Sequence, residues 1–143
     1  KTAVEEAGIL LKEVGARRVL PLKVSGPFHS PLLNTAGEKL AEVLAPCKLS
    51  GLKIPYISNT LAEPVTDKTK IKDLLTRQIS SPVRWRESME ELIREGVGTF
   101  IEIGPGKTLS GFLKKIDRNA VVYSIQTMED LEKTVELLKG RNL

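Results

Sequence analysis

The run Thr99-Phe100-Ile101-Glu102-Ile103, broken by Gly104-Pro105-Gly106 and followed by Leu109, Phe112, Leu113 and Ile116, decides the fold class. A short, nearly continuous apolar segment suits a strand covered on both faces. The Gly-Pro-Gly turn ends it, and apolar residues then recur at helical spacing. Val121-Val122-Tyr123 reads as the next strand, and Thr127 caps a helix with Met128, Leu131, Val135 and Leu138. Strand, turn, helix and strand in so short a span form a βαβ unit around a mostly parallel sheet. The class is α/β.

Upstream, Trp85, Met89, Leu92 and Ile93 mark a helix running to Gly96, and Asp67 caps another with Ile71, Leu74, Leu75 and Ile79, stopped by Ser80-Ser81-Pro82. Leu52 to Ile57 reads as a strand containing Pro55. Ser30-Pro31 is an N-cap and N1 pair, with the Ser30 hydroxyl expected on the amides of the next turn. The helix it opens carries Leu33, Ala36, Leu40, Val43 and Leu44, and Pro46 closes it. At the start of the chain, Val4, Ala7, Leu11 and Val14 form an amphipathic helix with Gly15 at its C′ position, and Val19 to Val24 is expected as a strand, at an edge or a bulge because of Pro21. The strand count is low for an independent doubly wound domain, which suggests missing chain.

The composition closes off several classes. With 143 residues, 41% hydrophobic and 28% charged, the chain is that of a soluble globular protein long enough to bury a core. No apolar run approaches the roughly 18 residues of a membrane span, and Glu5 and Glu6 stand where a signal peptide would turn apolar. A net charge of +4 with both signs interspersed does not indicate nucleic acid, and 4% aromatics are too few for base-stacking platforms. The single Cys47 closes no internal disulfide, so a reducing, cytoplasmic setting is expected. Lys1 in place of an initiator Met is expected of a processed chain or of a piece of a longer one.

His29 is the one histidine, held between Gly26-Pro27 and Ser30-Pro31 in a strand-to-helix loop, where α/β folds place their chemistry. Flanking prolines restrict such a loop, and a general base needs rigid presentation. The competing reading is a surface or capping histidine. No Gly-x-Ser-x-Gly elbow supplies a nucleophile, and Cys47 reads as a packed thiol. One His and one Cys far apart make no metal site. Gly104-Pro105-Gly106-Lys107-Thr108 offers amides and a lysine to an anion but lacks P-loop spacing, and Lys114, Lys115 and Arg118 read as a solvated helix face.

Three segments together carry a family resemblance: Leu22-Lys23-Val24-Ser25-Gly26-Pro27-Phe28-His29-Ser30, Arg77-Gln78-Ile79-Ser80-Ser81-Pro82-Val83-Arg84-Trp85, and Glu102-Ile103-Gly104-Pro105-Gly106-Lys107-Thr108-Leu109. In order and separation the set resembles the C-terminal half of malonyl-CoA:acyl-carrier-protein transacylases, through most of the chain. The resemblance implies a serine acyltransferase of fatty-acid biosynthesis that moves malonyl from coenzyme A to the phosphopantetheine thiol of acyl carrier protein, without metal or cofactor. It implies His29 as the base, Gln78 as the residue whose backbone carbonyl orients the imidazole, and Phe28 as a substrate-site residue. Ser58 and Asn59 fall in a segment that approaches the site in relatives and are not expected to be catalytic. The family's Gly-His-Ser-Leu-Gly nucleophile segment, carboxylate-binding arginine and oxyanion-hole glutamine belong upstream of Lys1, and this sequence has none of them. The resemblance therefore implies an enzyme fragment partnered by a missing N-terminal half and inactive alone. Residues 1–24 would end a small ferredoxin-like subdomain, and 25–143 would form the closing part of a hydrolase-like parallel-sheet domain. A non-catalytic α/β module that binds an anionic ligand or docks a carrier protein is the alternative.

Overall fold

Strands β3 (Thr99–Ile103) and β4 (Val121–Ile125) pair in parallel, from Thr99 opposite Val121 to Ile103 opposite Ile125, and α5 (Thr108–Ile116) connects them. This strand-helix-strand unit is the one expected, with β4 running on past Tyr123 to Ile125. The computed structural model describes residues 2–21 and 24–140. The remaining elements are α1 (Thr2–Glu13), α2 (Asn34–Leu44), the two-residue strands β1 (Tyr56–Ile57) and β2 (Pro64–Val65), α3 (Ile71–Gln78), α4 (Trp85–Arg94) and α6 (Met128–Lys139).

Phe100 and Val122, opposite each other in the ladder, pack on a core whose buried members are Met89 of α4, Leu113 of α5 and Ala120. Strand alternation turns Ile101 and Ile103 to the other face, where both are exposed, Ile103 to 80%. The α6 helix starts on a reciprocal cap: the Thr127 hydroxyl accepts from the Asp130 amide at 3.2 Å, and the Asp130 carboxylate accepts from the Thr127 amide at 3.0 Å. At the other end of the chain, Gly15 takes φ 94° after α1, as a C′ glycine does, and the Ala16 amide reaches back to the Leu11 carbonyl at 2.9 Å.

Three local expectations need correction. Val19, Leu20, Pro21 and Val24 are irregular rather than a strand, and Leu22 and Lys23 lie outside the described residues. Val19 packs back on α1 near Gly8, and among the described residues no strand runs alongside to supply a ladder. The strand expected from Leu52 shrinks to Tyr56–Ile57, because its partner is only the two residues Pro64–Val65 and Pro55 has no amide to donate. Its ladder is antiparallel, so the architecture is mixed α/β with one parallel pair. Finally, Ser30-Pro31 opens a 3₁₀ turn, Pro31–Leu33, before α2 begins at Asn34, and Asp67 caps the 3₁₀ turn Lys68–Lys70 that leads into α3.

The contact that matters for function joins α2 to α3. Gly37 is buried on α2, and a β-carbon there would lie 3.2 Å from the Thr76 carbonyl oxygen and 3.9 Å from Ile79. The two helices therefore meet backbone to backbone. Gly37→Val should destabilise the protein by about 1–3 kcal/mol, through overpacking that outweighs the small gain in helix propensity. Chemical denaturation of the two proteins measures this, and unchanged stability would mean that the helices can separate freely.

Candidate active site

His29 stands in the left-handed region at φ 57°, which costs a non-glycine residue about 1–3 kcal/mol and marks a position held by its surroundings. The hold is local on one side. Ser30, extended at φ −133° and ψ 161°, turns its hydroxyl back to donate to the Pro27 carbonyl at 2.7 Å. This corrects the expectation that the hydroxyl caps the following turn: the left-handed residue swings it backward, and it makes no cap bond. Phe28 lies with its ring 3.5 Å from where a β-carbon on Gly26 would be, so the glycine leaves room for the ring, which is otherwise 61% exposed.

On the other side the imidazole is fixed from a distance in sequence. Nδ1 of His29 lies 3.0 Å from the backbone oxygen of Gln78, the last residue of α3. A carbonyl oxygen only accepts, so Nδ1 carries the proton in this bond and Nε2 holds the lone pair. The α2–α3 contact at Gly37 brings the two together, since His29 lies just before α2 and Gln78 ends α3. The Gln78 side chain points elsewhere, accepting from Asn59 Nδ2 at 3.4 Å. Asn59 belongs to the loop between β1 and β2, which Arg84 holds by donating its amide to the Asn59 carbonyl at 3.0 Å and Nη1 to the Leu61 carbonyl at 2.8 Å. Ser58 is buried and bonded to Thr60 at 2.8 Å.

Amides at and after the Gly104 turn already have acceptors within the chain. Leu109 and Ser110, the second and third residues of α5, donate their amides to the Glu102 carboxylate at 3.1 and 2.9 Å, as does the Ser110 hydroxyl, and the Gly106 amide donates to Gln126 Oε1 at 2.8 Å. A strand carboxylate thus occupies the helix N-terminus that a phosphate would need. Sequence reasoning missed this role of Glu102; the signal was a lone acid inside an apolar strand. Lys114 is no free surface lysine, since Nζ donates to the Ala120 carbonyl at 2.6 Å, and Lys115 lies 5.7 Å from the centre of the Phe112 ring. Cys47, expected as a packed thiol, is instead exposed just past the end of α2, with Sγ 3.5 Å from the Val43 carbonyl. Among the described residues no group of three or more acids, histidines and cysteines is placed to hold a metal ion, and no helix is long and apolar enough to cross a membrane.

The chain is 50% identical over 139 residues to the malonyl CoA-acyl carrier protein transacylase of Bacillus subtilis, covering 97% of this chain and 44% of that relative. The crystal structure of MCAT from Streptococcus pneumoniae superposes with a TM-score of 0.86 at 47% identity, over 95% of this chain and 44% of that one. The similarity is to the C-terminal half of malonyl-CoA:acyl-carrier-protein transacylases. A further transacylase, solved as a type II PKS acyl-carrier protein in complex with its malonyl-transacylase, matches at TM-score 0.87 and 36% identity, over 96% of this chain and 44% of that one. No family model matches. The chain thus spans less than half the length of the transacylases it resembles.

The Glu102 cap gives a pH signature. Its carboxyl is held below the usual carboxylate range, chiefly by the Ser110 hydroxyl and then by the Ser110 and Leu109 amides. A carboxyl depressed in the folded state stabilises above its unfolded pKa and loses that contribution as pH falls through the folded value. Glu102→Gln should therefore be less stable than the parent near neutrality, with the difference closing in acid. Thermal melts across this range test it, and a gap independent of pH would remove the carboxylate from the cap.

Proposed function

We propose that this chain supplies the general base of a malonyl transfer from coenzyme A to the phosphopantetheine thiol of an acyl carrier protein, within fatty-acid biosynthesis in the cytoplasm. The observation that supports it is the His29 Nδ1 to Gln78 carbonyl bond at 3.0 Å, which leaves Nε2 as the proton acceptor. His29 takes the proton of a serine hydroxyl as that oxygen attacks the malonyl thioester carbonyl. The tetrahedral intermediate collapses, and the imidazolium returns the proton to the leaving coenzyme A thiolate. The same steps then run from the carrier thiol onto the acyl-serine ester. An acyl group passing between oxygen and sulfur nucleophiles calls on no redox partner or metal. Gln78 acts through its backbone alone, and Phe28, beside the base, narrows the space an α-substituted malonyl would need.

The serine belongs to a polypeptide portion that this sequence does not contain, and we take the N-terminal half of the same kind of enzyme as the partner. Parallel sheets are ordinarily covered on both faces, and here Ile101 and Ile103 leave one face open. In this reading residues 1–24 close a small ferredoxin-like subdomain and residues 25–143 belong to the hydrolase-like one. The binding-module alternative is disfavoured by the Gly106 amide, committed to Gln126, and by the Leu109 and Ser110 amides at the start of α5, committed to Glu102.

The test is a chimera in which this chain replaces the matching region of the Bacillus subtilis relative, assayed for transfer of labelled malonyl from coenzyme A to carrier protein. The chimera should turn over and the chain alone should not. His29→Ala should lower turnover by roughly 10²-fold or more with little change in stability, because one imidazole serves as base and acid. Near-native turnover in that variant would make His29 structural.

In the same chimera, Phe28→Ser should raise the use of methylmalonyl-CoA relative to malonyl-CoA. A methyl-sized difference is worth about 1–3 kcal/mol of discrimination. An unchanged ratio of specificity constants would place Phe28 outside the substrate site.

A further inference from the structure

The Gln78 carbonyl that receives His29 takes no donor from its own helix. At the end of α3 the amides of Ile79 and Ser80 close short turns onto the Thr76 and Arg77 carbonyls, each at 3.2 Å. The next carbonyl in that series is Gln78's, whose donor three residues on would be the Ser81 amide. The donor four residues on, which an α-helix would use, is residue 82, and residue 82 is proline. Proline has no N–H, and it also drives Ser81 out of the helical region, so the chain leaves α3 as a bend at Ser81. Among the described residues the only donor within bonding distance of the Gln78 oxygen is His29 Nδ1.

We propose that Pro82 is a positioning residue for His29: by withholding an amide it keeps the Gln78 carbonyl free for Nδ1–H, and so fixes the imidazole with its lone pair on Nε2. This deepens the reading of His29 as the base. Any other residue at 82 brings back both the amide and the freedom of Ser81 to extend the helix, and the Gln78 oxygen then has a local donor in competition with a distant one. Pro82 is exposed, so removing its ring opens no cavity. Its effect on His29 runs through one hydrogen bond.

His29 being the only histidine, the long-range ¹H–¹⁵N spectrum of the labelled 143-residue chain, recorded where the imidazole is neutral, reports its tautomer without assignment. The parent chain should be predominantly Nδ1–H. Pro82→Ala, checked for native circular dichroism, should move the population towards Nε2–H, the form histidine prefers free in water. A third chain with lactic acid in place of Pro82, which puts an ester where the amide would be, removes the donor without restoring the ring and should stay Nδ1–H. An Nδ1–H population unchanged in Pro82→Ala overturns the proposal, and so does an ester variant that shifts as far as alanine does, because the missing amide would then not be the cause. If Pro82→Ala does not fold, the ester variant alone decides: Nδ1–H supports the proposal and Nε2–H overturns it. The tautomer is read without turnover, so a shift in Pro82→Ala combined with full activity of His29→Ala in the chimera would leave the positioning intact and remove only the catalytic reading.

Discussion

Everything distinctive about the site depends on two backbones touching. At Gly37 the α2 helix comes so close to α3 that a single β-carbon would press on the Thr76 carbonyl at 3.2 Å. That approach sets the loop before α2 against the residue that ends α3, and His29 reaches Gln78 across 49 positions of sequence as a result. The bond is made to a backbone atom, so its geometry follows from helix placement and not from any side-chain rotamer. A one-residue change in where α3 stops would move the last carbonyl away from His29, because successive carbonyls lie about 100° apart around the helix axis.

Orientation by a carbonyl differs physically from orientation by a carboxylate. A buried acid must be desolvated and then stabilised by partners of its own. A helix-terminal carbonyl is neutral, already in need of a donor, and carries the negative end of the peptide dipoles behind it. It can therefore do its work at an exposed site, as His29 does here. The cost falls on the donor's backbone instead, in the left-handed conformation of His29 at φ 57°. Ser30 helps to hold that conformation with its bond to Pro27, which explains why a hydroxyl in a capping position caps nothing.

Most of the helices were legible because their signals are local. Gly15 after α1, Thr127 with Asp130 before α6, and the apolar spacing of α4 and α5 each lie within a few residues of the element they specify. Strands were legible only where a long partner exists. Thr99–Ile103 and Val121–Ile125 support each other over their whole length, whereas Leu52–Pro55 and Val19–Pro21 have apolar strand-like composition and no ladder among the described residues. Period alone cannot report a missing partner.

The site divides along the same line. His29 drew notice as the one histidine in a proline-bounded loop, a local feature, while Gln78 emerged only from the family resemblance. No composition or spacing rule selects it, since what matters is a carbonyl that every residue has. What singles out residue 78 physically is negative information: its helical donor would have been residue 82, and a proline stands there. A reading that asks of every helix end which carbonyls lack a donor, and where such orphans could find one, would have flagged Gln78 without any relative. The same accounting applied to donors finds Glu102, whose carboxylate satisfies the amides that open α5. The start of α5 is thereby capped by a carboxylate from its own strand, whereas the Gln78 carbonyl at the end of α3 takes its donor from His29, 49 positions away.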